Sequence, residues 1–328
     1  MGGQDHDLYV RYRFMMALCV AVFVLPIVIY VFLKVIFEIA LYQFPIEIML
    51  GDFQLKQVIF EQAVFSEYVF LSTLFVIALA IYLLTAILGM VYALVTIFTS
   101  TTLKSALMWS FIGFLYGGLF SALVVDRNEL GIFIVNHHIF DQEILSNGLK
   151  AQFIAVDQLM LVKDRFAIPC AGVMLACLAM LSVKSIYNSD THVFQLQANR
   201  NRINVLVYLA GMLFMANVTC LLLITRWSAP IVSENMSLSL SMLRASVTLY
   251  WGAVMGFCFA AAFLPALLII IVARKRAFTM LAPKGVSETK WYHENDLQLT
   301  TNDLTSRVFA FGGPMLIGPM LEFVLDRM

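Results

Sequence analysis

VFLSTLFVIALAIYLLTAILGMVYALVTIF, residues 69–98, is a run of 30 side chains without a charge. As a helix it would be about 45 Å long at 1.5 Å per residue, more than the roughly 30 Å of a bilayer's hydrocarbon core. A helix that is apolar on every face is buried either in a large core or in lipid. The rest of the chain chooses lipid. Of its 328 residues 61% are apolar and 13% charged, against about 45–50% and about 25% in soluble domains.

Five further stretches have span character, near 14–33, 105–125, 167–187, 203–225 and 245–273. The expected fold is therefore an all-α polytopic bundle of about six transmembrane helices over residues 1–273, followed by a tail over 274–328. The fourth span is the weakest, with Pro169 near its start and Lys184 near its end. Residues 14–33 are too long for a signal-peptide core and no small-x-small site follows them, so they read as an anchor.

Charge orients the bundle. With the N-terminus in the cytoplasm, 13 of the 21 basic residues fall inside, led by Arg274-Lys275-Arg276 directly after the sixth span, and 12 of the 21 acids fall outside. Basic residues favour the cytoplasmic side, so both termini are expected there, in a bacterial inner membrane or a plasma membrane. Basic and acidic residues are equal in number, which leaves no bulk field to attract nucleic acid.

Two long outside loops, 34–68 and 126–166, are rich in apolar residues. Phe53, Val58, Ile59, Ala63 and Val64 are roughly helix-spaced, which predicts an amphipathic helix at the membrane surface. Ile132–Val135 and Gln152–Val156 suggest similar interfacial elements in the second loop. In the tail, residues 282–302 are polar, with a turn at Pro283-Lys284-Gly285. Residues 308–325 are apolar again but broken by Gly312-Gly313-Pro314 and Gly318-Pro319. Such breaks disfavour a full span. Phe311 to Met320 is expected to re-enter the bilayer or to dock on a partner.

Chemistry-bearing patterns are sparse. Read this way, the central parts of the six spans hold no ionisable residue, which argues against an ion-coupled carrier. Asp126, Glu129, Asp141, Glu143, Asp157 and Asp164 read as acids of solvated loops. None of the five histidines lies in a span, so membrane haem is not implied. His137 and His138, near Asp141 and Glu143, are a weak candidate metal site. No nucleophile elbow, zinc-protease helix or phosphate loop occurs, so no catalytic residue and no cofactor is expected.

The spans do carry packing signals. Gly113 and Gly117, Gly252 and Gly256, and Gly172 with Ala176 are small-xxx-small pairs that let helix backbones approach closely. Asn217 is expected to hydrogen-bond to a neighbouring helix, and Pro265 to kink the sixth span. By elimination the leading expectation is a non-catalytic subunit of an envelope, transport or secretion assembly. Its partners would be the lipid bilayer and other membrane subunits or copies of itself. The alternatives are a homo-oligomeric pore and a transporter or enzyme for a lipid or other apolar substrate.

Overall fold

The computed structural model describes residues 17, 20–36, 62–124, 147–188, 192–226 and 234–298, with 312–313, 316–317 and 320 in the tail. The protein is all-helical over these residues. Helix α1 is Val20–Ile36. It is followed by α2 (Gln62–Ser100), α3 (Leu103–Val124), α4 (Asn147–Asn188), α5 (Val193–Arg226), α6 (Glu234–Leu281) and the short α7 (Glu288–Glu294). Helices α2 to α6 are each long and apolar enough to cross a membrane, and α1 is a shorter apolar helix. Among the described residues five helices thus have the length and composition of membrane spans, as a membrane-embedded protein requires.

Thr101 and Thr102 alone join α2 to α3, and Thr101 donates from its backbone N–H to the Ile97 carbonyl at 3.1 Å. So short a link makes α2 and α3 antiparallel neighbours. Helix α4 is the centre of the bundle: it packs on α2, α3, α5 and α6. Two-thirds of its spanning segment is buried within the protein, compared with 22% for α3. Leu107, Phe111, Leu115 and Leu119 of α3 face outward, as lipid-facing residues do, while Gly113 and Gly117 face α4. Helix α1 closes the remaining side. Tyr30 packs on Val254 and Cys258 of α6, and the Cys258 thiol donates to the Pro26 carbonyl at 3.4 Å.

Two expectations about the long loops need revision. Residues 147–166 are not loop: they form the first half of α4, whose spanning segment begins at Gln158 rather than Ala167. The run Lys163-Asp164-Arg165 depresses local hydropathy and hides the continuity of the helix. Of the amphipathic stretch 53–65, residues 62–65 belong to α2, and the rest lies outside the described residues.

The tail also departs from a simple polar extension. The turn at Pro283 forms, with Val286 N–H donating to the Pro283 carbonyl at 3.3 Å and Gly285 at φ +90°, a conformation that favours glycine. Ser287 then caps α7 by accepting from the Lys290 N–H. Trp291 and Tyr292 are buried against Leu196, Ala273, Ala277 and Phe278. The Arg274 guanidinium lies 4.3 Å from the Tyr292 ring centre. Arg200 donates to the Asp296 carbonyl at 2.9 Å. Burial and the Glu288 carboxylate beside it push the Tyr292 phenol up to about 12, so it stays a hydrogen-bond donor to Glu288 at neutral pH.

A seven-residue helix does not hold itself together in water, so the docked rings maintain α7. Trp291→Ala, a loss of about 3–5 kcal/mol for a buried Trp, should release the latch without unfolding the spans. Hydrogen exchange would report this as fast exchange confined to residues 288–297. Unchanged protection there would refute the latch.

Candidate functional site: an ion pair at the edge of an apolar cavity

The axial order of α4 decides the site. Met160, Asp164, Ala167, Ala171 and Met174 recur at helical spacing and face the interior, and Lys163 sits beside Asp164 on the same side. Lys163 is 2% exposed and Asp164 8%. The Lys163 ammonium donates to Asp164 Oδ1 at 2.7 Å and to the side-chain oxygen of Asn217 on α5. It also lies 4.5 Å from the ring centre of Tyr82 on α2, and the Tyr82 hydroxyl donates to Asp164 at 3.4 Å. Three helices thereby share one polar cluster.

Its depth matters. Lys163 and Asp164 lie five and six residues past Gln158, where the apolar segment of α4 begins, about 8–9 Å along the helix. Isolated charges are costly at such a place. Two of opposite sign, hydrogen-bonded to each other and to neutral dipoles, are tolerated. The expectation that Asp164 is a solvated loop acid is therefore overturned: it is buried within the apolar segment of α4. The signal was available in the spacing 160, 164, 167, 171 and 174. It was masked by three consecutive charges, of which Lys163 and Asp164 turn inward.

Residues of all of α1 to α6 line a partly open cavity of about 130 Å³ that the cluster borders. Along α4 its wall runs from Met160 to Leu175, about 22 Å at the helical rise. The lining is mostly apolar and aromatic, with Lys163, Asp164, Asn217 and Tyr82 as its polar part. Also in the lining, Tyr116 and Phe120 of α3 stack with centroids 6.1 Å apart. Phe120 meets Tyr30 edge-on at 5.4 Å, and Tyr30 lies 6.4 Å from Trp251. The Tyr116 hydroxyl and the Trp251 indole N–H are both buried without a hydrogen-bond partner among the described residues. Each such orphan costs about 1–3 kcal/mol. A cavity of about 150 Å³ lined by hydrocarbon holds one benzene ring, so this one has room for a small ring or a short chain segment.

The packing residues frame this site. Gly113 and Gly117 meet Gly172 where α3 crosses α4. A Cβ on Gly113 would lie 2.7 Å from Val173 Cα, one on Gly117 2.5 Å from Pro169 Cα, and one on Gly172 would strike the Gly113 carbonyl and lie 2.9 Å from Gly117 Cα. This is a contact within one chain. Gly252 and Gly256 are buried on α6. Asn217 reaches across to α4 as described above. Pro265 lies within α6, which continues past it to Leu281.

In the tail, a Cβ on Gly313 would lie 2.8 Å from Met215 Sδ of α5, so Gly313 sits against that helix. Gly312 has open space around it. Phe311, Pro314, Gly318 and Pro319, like His137 and His138, lie outside the described residues. Among the described residues no group of three or more His, Cys, Asp or Glu side chains comes together. No family model, no curated protein and no solved structure matches this chain.

Proposed function

We propose that this protein binds a small amphiphilic molecule inside the bilayer and carries it across, the transporter form of the apolar-substrate alternative. The observation that carries this reading is the cavity itself: apolar and aromatic along about four helical turns, with one polar cluster at one end. Convergent polar groups in an otherwise apolar pocket are the usual mark of a ligand site, and intramembrane ionisable residues mark substrate paths.

The charges of Lys163 and Asp164 are engaged with each other, which suits a neutral or dipolar head group better than a free anion. Their mutual engagement also favours binding over catalysis, since neither is presented to a nucleophile. In this reading the end of the bundle bearing Arg200, Arg202, Arg274, Lys275 and Arg276 faces the cytoplasm, and the α7 latch covers that end. Cysteine labelling at Asn147 and Asn302 tests the orientation.

Extraction in mild detergent followed by intact-mass measurement tests the function. The expected product is this chain alone, or a small oligomer of it, retaining a small amphiphile that Lys163→Met releases. A stoichiometric set of other chains would instead support an assembly subunit. A closed ring of this chain with measurable conductance would support a pore. A chain that retains nothing and conducts nothing would sink the transport reading.

A further inference from the structure

We propose that Lys184 and Arg202 form a site for the phosphate of an anionic phospholipid, at the level where α2 ends and α3 begins. Neither residue lines the cavity, so this site stands independently of what the cavity binds.

The helices fix the level. Ser100 is the last residue of the α2 span and Leu103 the first of α3, and Lys184 lies three residues before the α4 span ends at Tyr187. Arg202 of α5 donates to Ser100 Oγ at 2.6 Å. Asn199, one turn earlier on α5, donates to Ser185 Oγ at 3.3 Å, which holds this turn of α4 beside Arg202. Lys184 and Arg202 lie within electrostatic reach of each other, and both are partly buried. Neither has an acidic partner among the described residues. The acids described near this end are engaged elsewhere: Glu288 with Tyr292, Glu294 with Lys290 and Asp296 with Gln197.

Two like charges held near each other and partly out of water repel, a cost that an anion between them removes. The Ser100 hydroxyl is neutral and takes one of the five N–H groups of the Arg202 guanidinium, which leaves the rest for a phosphate. At the ends of membrane spans the abundant anion is the lipid head group. The surface beyond Arg202 favours a lipid over a free phosphate. Val205, Tyr208 and Met212 follow at successive turns of α5 and are exposed, a largely apolar lane along which an acyl chain can lie. Two cations also favour a lipid of net negative charge over a zwitterionic one, whose own ammonium already neutralises its phosphate.

Native mass spectrometry of the purified full chain tests the site, with phosphatidylglycerol and phosphatidylcholine of the same acyl chains as the two probes. The wild type should bind phosphatidylglycerol more tightly. Lys184→Gln and Arg202→Gln should each weaken it about fivefold, the worth of one cation near an anionic lipid surface, and leave phosphatidylcholine nearly unchanged. Lys184 holds no side-chain hydrogen bond among the described residues, so its variant should keep the fold. Arg202→Lys should retain most of the preference, which separates loss of charge from loss of the bond to Ser100. Lys275→Gln removes an exposed cation of the same end and should change neither affinity.

Equal affinities for the two lipids in the wild type would overturn the site, as would a preference that survives both glutamine substitutions. A preference lost as fully in Lys275→Gln would show a diffuse charge effect and overturn it too. Inorganic phosphate in excess should not displace the lipid. Full displacement would assign the position to a free anion and refute the lipid.

Discussion

Lys163→Met should lower the stability of the folded bundle by about 3–5 kcal/mol, because it removes the ammonium that pairs with the buried Asp164 carboxylate at 2.7 Å. The magnitude separates two states of the pair. If Lys163 and Asp164 were both neutral, the loss would be that of a hydrogen bond between uncharged groups in a membrane protein, about 1 kcal/mol. The double variant Lys163→Met/Asp164→Leu should recover most of the stability, since a well-packed apolar replacement of a buried pair is commonly neutral or better. It should not recover ligand retention. Denaturant or thermal unfolding in detergent, run on the wild type and the three variants that complete the cycle, measures the coupling. Single variants as stable as the wild type would show that the pair is hydrated and contributes no site. Tyr82→Phe is the mild control, since its 3.4 Å bond to Asp164 is long and removing the hydroxyl leaves the ion pair intact.

Gly172→Leu should be at least as damaging. Its side chain would enter a space already occupied by the Gly113 carbonyl and the Gly117 backbone. Overpacking a flexible core costs about 1–3 kcal/mol. Here the obstacle is backbone on a neighbouring helix, which yields only if α3 moves as a body. Loss of α3 from the bundle would open the cavity wall that Tyr116 and Phe120 form, so stability and ligand binding should fall together. Gly118→Leu supplies the comparison one residue from the same contact. Nothing lies within 4 Å of a Cβ there, and that variant should extract and unfold like the wild type. A Gly172→Leu protein that remains monodisperse and binds normally would mean that the α3–α4 crossing does not hold the bundle together.

The two experiments bear on different parts of one object. The glycine contact brings α3 to α4 closely enough for its aromatic residues to complete the cavity. The ion pair gives that cavity its polar end. Helix packing and ligand chemistry are coupled here through α4, which packs on α2, α3, α5 and α6.

The amino-acid sequence by itself determined the membrane class, the helical architecture and most of the spans. Long uncharged runs have one stable solution in lipid: every backbone group must be satisfied within its own helix. It also displayed the small-residue spacings, since Gly113, Gly117 and Gly172 are visible as gaps in an apolar pattern. It did not disclose the site. Lys163 and Asp164 sit among charges that read as a loop, and hydropathy cannot distinguish an ionisable residue facing water from one facing Asn217 and Tyr82. That distinction depends on partners 54 and 82 residues away in the chain. The cavity was equally hidden, because a volume between helices belongs to no single one of them. Tyr116 and Trp251 look like ordinary aromatic residues of a membrane span until α3, α1 and α6 converge. Only tertiary packing brings them into one lining, and only burial turns a hydroxyl and an indole N–H into groups that need a partner.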